Sequence, residues 1–253
     1  MSRTIVRIIR PGVLLRALCV VAVLFVMRAN AQTRHDLHLG RELAITGTGL
    51  AFNGIGLLLA RGNADRPAPI IDIANVPRID RVATTQWSVS AHRTSNILFG
   101  AVVITSVAGS IVNQQGERPL LPVAIIAESA LLTSGLTNTV KELVRRPRPY
   151  LYNPDVPASM YNPHEDNVSF WSGHTANTAA ITFSTACMVQ RSDASPGVKT
   201  MTWIGAAVAP AAMGYLRVRA GRHFPTDVLT GYLIGAAVGI AVPYFHRNDE
   251  LPR

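Results

Sequence analysis

Six apolar runs punctuate the chain, at 43–60, 97–112, 119–140, 174–190, 201–216 and 228–245. Their lengths are helical, and none sustains the apolar–polar alternation that marks a half-buried strand. The pattern therefore predicts an all-α fold, a bundle of about six helices. Ala, Gly, Ser and Thr recur within the runs, which lets helix backbones approach closely in a membrane. Several runs are short for a crossing, and Asn53 and Glu128 interrupt two of them. A packed bundle thus follows more directly than six crossings. The polar stretches 61–96 and 150–168 are long connectors, which in compact domains commonly carry function.

Ahead of these runs, residues 17–27 form an eleven-residue apolar core behind a basic stretch, with no acidic residue before Asp36. Ala29 and Ala31 precede Gln32, so residues 1–31 have the layout of a signal peptide cleaved before Gln32. Arg28, between core and cleavage position, leaves an uncleaved anchor as the alternative. Export is expected, to a multi-pass place in the cell membrane with a periplasm-facing site or to the periplasm itself.

Composition narrows the partners. Hydrophobic residues make up 48% of the chain and charged residues 15%, with a formal net charge of +9. That balance suits phosphate esters or acidic lipid surfaces. No basic run is interleaved with aromatics, which argues against nucleic acid. Cys19 lies in the leader and only Cys187 remains, which excludes a disulfide framework and a cysteine metal site.

Charge gathers at the helix ends. The third run closes with "KELVRRPRPY", where Lys141 and Arg148 are seven apart and return to one face after two turns. Taken alone, this is a basic helix terminus completing the macrodipole. The fourth run opens with "SFWSGHTAN": Ser172 caps, Gly173 admits close backbone approach, and His174 enters the first turn. Free N–H groups at such a start can hold an anion, although a Ser-Gly-His is commonly a simple cap. Between the last two runs lies "RVRAGRHFPTD", with His223 and Asp227 four apart and Pro225 suited to a first turn. Taken alone, it is equally a solvated charged bend.

In this order the three clusters resemble the type 2 phosphatidic acid phosphatase (PAP2) superfamily, which includes bacterial class A acid phosphatases and vanadium haloperoxidases. The family pattern is Lys, six residues, Arg-Pro; then Pro-Ser-Gly-His; then Ser-Arg, five residues, His, three residues, Asp. Lys141 and Arg148-Pro149 match the first element. Ser172-Gly173-His174 match the second, with Trp171 in place of proline. Arg217, His223 and Asp227 match the third, with Leu216 in place of serine. The likeness spans roughly residues 97–245 and implies a membrane-embedded PAP2-type bundle. The chain then divides into the leader at 1–31, an N-terminal helix and connector at 32–96, a phosphatase core at 97–247 and a tail at 248–253.

The resemblance implies roles. His223 is the nucleophile that becomes a phosphohistidine, and Asp227 hydrogen-bonds its other ring nitrogen. His174 protonates the leaving oxygen and then activates water. Lys141, Arg148, Ser172, Gly173 and Arg217 bind the phosphate. No metal or other cofactor is implied, except vanadate in the haloperoxidase case, and no acidic cluster suited to magnesium or zinc is visible in the sequence. Arg145, Arg146, Arg219 and Arg222 fall out of register and read as headgroup or surface contacts. His164 and His246 read as solvated, Glu128 as a buried hydrogen-bond partner, and Trp87 as an interfacial anchor.

Three activities compete. A phosphatase for a lipid phosphate or polyprenyl diphosphate leads, because the exported bundle is apolar and basic. A soluble periplasmic acid phosphatase is second, and a vanadium haloperoxidase third.

Overall fold

The computed structural model describes residues 35–64, 70–112 and 120–248. The expected leader at 1–31, Cys19, part of the first connector and most of the tail lie outside the described residues. Among the described residues there are six α-helices: α1 (Leu39–Asn63), α2 (Val89–Val112), α3 (Leu121–Val144), α4 (Gly173–Gln190), α5 (Pro196–Arg219) and α6 (Pro225–Phe245). Short 3-10 turns join them, and one isolated backbone bridge pairs His35 with Arg247. The all-α expectation holds.

Local chemistry sets the helix ends. Pro122, Pro196 and Pro225 occupy first turns, where the missing N–H costs nothing. The side chains of Ser172 and Ser195 accept from the backbone N–H groups of Thr175 and Val198. α3 stops at Arg145, whose φ of 49° is left-handed. α2 begins eight residues before its apolar run, because His92, Ser95 and Asn96 continue the helix with polar side chains.

Successive helices alternate in direction, so α1, α3 and α5 end where α2, α4 and α6 begin. α1 runs parallel to α3: Gly49 meets Leu131 and Leu132, and Gly56 meets Asn138 and Thr139. α4 and α6 are also parallel and closer still. A Cβ added at Gly231 would lie 2.7 Å from the Ser172 carbonyl oxygen, and one at Gly239 2.5 Å from that of Ala180. Between them, a Cβ on Gly235 would strike the Ala176 carbonyl oxygen. Only glycine, repeated every fourth residue, permits that seam. α4 is enclosed, and its Thr182 and Thr185 hydroxyls donate to carbonyls one turn back, which satisfies them without water. Leu98, Val102, Ile125, Ile181, Met213 and Val242 form the centre of the core.

The outer surface is apolar. Leu43, Leu50 and Leu57 on α1, Ile97 and Ile104 on α2, and Leu229 and Leu233 on α6 are all exposed. Among the described residues, four segments are long and apolar enough to cross a membrane: Leu39–Asn63, Val89–Ile111, Leu121–Tyr152 and Pro225–Phe245. The outward face suits hydrocarbon rather than water, and the bundle is that of a membrane protein.

The glycine seam predicts a sharp asymmetry. Gly235→Val should lower the thermal unfolding temperature of the detergent-solubilised protein markedly, because α4 and α6 must separate. Gly54→Ala meets nothing within 4 Å and should be neutral or slightly stabilising. Equal unfolding temperatures for Gly235→Val and wild type would show that the seam is not required.

Candidate active site

At the end of the bundle where α3 and α5 finish and α4 and α6 start lies a cavity of about 900 Å³. Lys141, Arg148, His174, Arg217 and His223 line it together. These residues come from all three sequence clusters. Ser172, Gly173 and Asp227 stand behind the lining. The Ser172 hydroxyl is fully buried and paired with Thr175 Oγ1 at 2.9 Å, so it serves as the helix cap. Gly173 faces an adjoining apolar groove, and Asp227 supports the His223 loop.

His223 is 1% exposed. Its Nδ1 lies 2.7 Å from the Ser169 carbonyl oxygen, an acceptor only, so Nδ1 carries the proton. The lone pair is therefore on Nε2, which lies 3.5 Å from Arg148 Nη1 at the cavity wall. Asp227 Oδ2 is 3.7 Å from Nδ1, beyond hydrogen-bond distance. The expected Asp227–imidazole hydrogen bond is thus replaced by one to the Ser169 backbone. Asp227 acts through the loop: Oδ2 accepts from Ser169 Oγ at 2.6 Å and from the Phe224 N–H at 2.9 Å. Burial, with Arg148 and Arg217 adding to it, pushes the His223 pKa well below its ordinary value.

His174 faces the cavity from the first turn of α4. Asn96 Oδ1 lies 3.1 Å from its Nε2, and Phe99 packs against the ring with centroids 5.4 Å apart. Burial, reinforced by Arg217 and Lys141, lowers its pKa from 6.5 to about 3. Without an anion present, both histidines are neutral.

The cations are held rigidly. Arg148, 5% exposed, donates from Nε to the Glu165 carbonyl at 2.6 Å and from Nη1 to the Arg222 carbonyl at 3.0 Å. Arg217, 4% exposed, reaches His92 Nδ1 at 3.1 Å and Ser95 Oγ at 3.2 Å. Trp171, in the position of the family proline, donates from Nε1 to Thr137 Oγ1 at 2.8 Å and so ties the α4 entry to α3.

Several residues depart from the sequence expectations. Arg222 is no surface contact: it lines the cavity with its guanidinium 5.1 Å from the centre of the Tyr150 ring. Trp87 packs edge-on against that same Tyr150. Arg146 bridges two fully buried carboxylates, Asp80 at 2.8 Å and Asp227 at 2.5 Å, and stacks on Phe224. Asp80 also accepts from the Thr226 N–H at 3.0 Å, which ties the 61–96 connector to the start of α6. Arg219 binds Gln86 of the same connector. His246 is fully buried rather than solvated and lies between Glu42 and Glu128. Asp80, Ser169, Asn96 and His92 carried no local signal, because their partners are 54 to 146 residues away.

A family model described as the PAP2 superfamily matches residues 122–250. Phosphatidylglycerophosphatase B of Bacillus subtilis (strain 168) is 34% identical over 114 residues, 45% of this chain. That match spans 52% of the relative's own length. A crystal structure of a transmembrane PAP2-type phosphatidylglycerolphosphate phosphatase from Bacillus subtilis aligns with a TM-score of 0.45 at 21% identity, covering 96% of this chain and 98% of that one. With more than half of its length matched by the family model, and all three charged clusters around one cavity, the chain belongs to the PAP2 superfamily.

Proposed function

We propose that this protein is a metal-independent phosphatase that removes phosphate from a lipid phosphate or polyprenyl diphosphate through a phosphohistidine. The observation that carries this reading is the meeting of two unlike cavities at Phe99 and His174. An apolar groove of about 460 Å³ between α2, α3 and α4, lined by Val103, Ile126, Ala130 and Ile181, shares Phe99 and His174 with the cationic cavity. A headgroup phosphate among the cations would leave its apolar chain in the groove, on the hydrocarbon side. A soluble phosphate ester would leave that groove unfilled.

In this reading Lys141, Arg148 and Arg217 bind the non-bridging oxygens, the arginines through paired donors. His223 Nε2 attacks phosphorus while the bond to the leaving oxygen breaks, and His174 supplies the proton to that oxygen. The charge gained by His223 is stabilised by the Ser169 carbonyl and the nearby Asp227. Water, deprotonated by His174, then attacks phosphorus and releases His223 and phosphate. The relative's name makes phosphatidylglycerophosphate the first lipid to assay, beside phosphatidate, undecaprenyl diphosphate and p-nitrophenyl phosphate. The cavity is proposed to face the periplasm.

Chain length supplies the first test. For a series of alkyl phosphates, kcat/KM should rise by up to about fourfold per methylene until the groove is full, following about 0.8 kcal/mol per buried CH₂. A flat series would favour the soluble acid phosphatase reading.

The two histidines should separate by leaving group. His223→Ala should abolish turnover of every substrate and leave no acid-labile phosphoenzyme on quenching. His174→Ala should slow an alkyl phosphate by about 10²–10⁴-fold but spare p-nitrophenyl phosphate, whose leaving group needs no proton. Equal slowing of both substrates would remove His174 as the acid.

The depressed histidine pKa values fix the sign of the pH dependence. Neutral His223 is ready to attack down to acidic pH, so its protonation should not limit kcat/KM near pH 6. Neutral His174 lacks the proton it must donate, so that proton arrives with the substrate monoanion. kcat/KM should therefore fall as pH rises past the second phosphate ionisation, about 6. The limb should move down for the more acidic p-nitrophenyl phosphate. A limb at the same pH for both substrates would belong to a protein group instead.

A further inference from the structure

At the other end of the bundle, three side chains far apart in sequence converge. His246 follows the last turn of α6, Glu42 lies in the first turn of α1, and Glu128 lies two turns into α3. His246 Nε2 is 2.9 Å from Glu42 Oε2 and 3.0 Å from Glu128 Oε2. The three donor atoms all lie within 4.8 Å of one another. His246 is fully buried and Glu128 is 8% exposed.

Each of the three presents one atom inward and has its other atom tied back. His246 Nδ1 lies 2.7 Å from the Val242 carbonyl, an acceptor only, which places a proton on Nδ1 and leaves Nε2 to face the two carboxylates with either a second proton or a lone pair. Glu128 Oε1 accepts from Thr46 Oγ1 at 3.1 Å, whereas its buried Oε2 has no hydrogen-bond partner. Glu42 Oε1 accepts from the His38 N–H at 3.0 Å and from Arg41 Nε at 3.2 Å, which leaves Oε2 to face His246. Two carboxylate oxygens around one buried imidazole nitrogen need positive charge among them, as a second proton on the ring or as a bound cation. Outer atoms held so that inner ones converge are the supporting pattern of a metal site. Donors bound to one ion at about 2.1 Å lie roughly 3.0–3.4 Å apart, and the observed 2.9 and 3.0 Å are close to that edge.

We propose that Glu42, Glu128 and His246 form a structural site for one divalent transition-metal ion. One imidazole nitrogen and two carboxylate oxygens suit Zn²⁺ or Mn²⁺ better than Ca²⁺, which takes oxygen ligands. The ion clamps the start of α1 and the end of α6 to α3. It is remote from the phosphate cavity and takes no part in turnover. His35, 3% exposed with both ring nitrogens unpartnered, is held at the same corner by its bridge to Arg247.

The test uses the full-length protein in detergent, stripped with EDTA and dialysed against Zn²⁺ or Mn²⁺. Metal content should reach one ion per chain, and the unfolding temperature should rise with added metal and fall on chelation. The initial rate with p-nitrophenyl phosphate should be the same with and without the ion, which separates this site from the catalytic reading. Glu128→Gln and His246→Gln should each weaken the metal more than about tenfold and abolish the metal-dependent rise in unfolding temperature, while turnover continues. A wild-type chain that retains no stoichiometric ion would overturn the proposal, leaving a His246 imidazolium shared between the two carboxylates. Unchanged metal binding by both variants would overturn it equally, and needs no assumption about their stability.

Discussion

Everything at the cavity depends on how closely α4 and α6 approach. Gly231, Gly235 and Gly239 lie against the backbone of Ser172, Ala176 and Ala180, with no side chain between. Side by side and parallel, the two helices open at the same level. The Ser172 N–H then donates to the Asp227 carbonyl at 3.0 Å, joining the segment before His174 to the one after His223. Two helix entries locked by backbone contacts hold two imidazoles more firmly than side-chain packing would. Any residue larger than glycine on that seam moves His223 relative to His174.

Charge is the second constraint, and it works against folding. Lys141, Arg148, Arg217 and Arg222 face one cavity, and among the described residues Glu165 is the only carboxylate in its lining. Two like charges 4 Å apart near a protein surface repel by about 4 kcal/mol, so the cluster is costly without an anion. The fold limits this cost by fixing the Arg148 and Arg217 guanidinium groups to carbonyls, a hydroxyl and an imidazole nitrogen, while Arg222 pairs with Glu165 at 3.4 Å. Further carboxylates in the lining would neutralise the cavity and compete with phosphate. The buried acids Asp80 and Asp227 are instead paired with Arg146 behind the wall, where they order the His223 loop without cancelling its field.

Much of this was legible in the chain because it is local. Lys141 and Arg148, Ser172 and His174, and His223 and Asp227 each lie within one or two helical turns, and the apolar runs marked six helices. What escaped is paired across long separations. Arg146 lies out of register with Lys141 in the sequence, and its partners are 66 and 81 residues away. His246 looked solvated beside the polar tail, but Glu42 is 204 residues distant. The start of α2 is hidden for a related reason: His92, Ser95 and Asn96 break the apolar pattern because they face Arg217 and His174 rather than lipid. The Asp227–imidazole hydrogen bond implied by the family pattern gave way to a main-chain acceptor, Ser169, that sequence spacing cannot reveal.

Alternating helix direction ties these features together. Helices that end at the cavity present the negative ends of their dipoles, where cations are favoured, and Lys141 and Arg217 occupy the last turns of α3 and α5. Helices that begin there present positive ends, where an anion is favoured, and α4 and α6 begin at Gly173 and Pro225. The backbone thus lowers the cost of the cationic side chains and raises the affinity for phosphate at the same place. Reversing any one helix would put a negative dipole end against the anion or strip a cation of its support. That is a physical reason for the motifs to fall at successive helix boundaries in the order the chain displays.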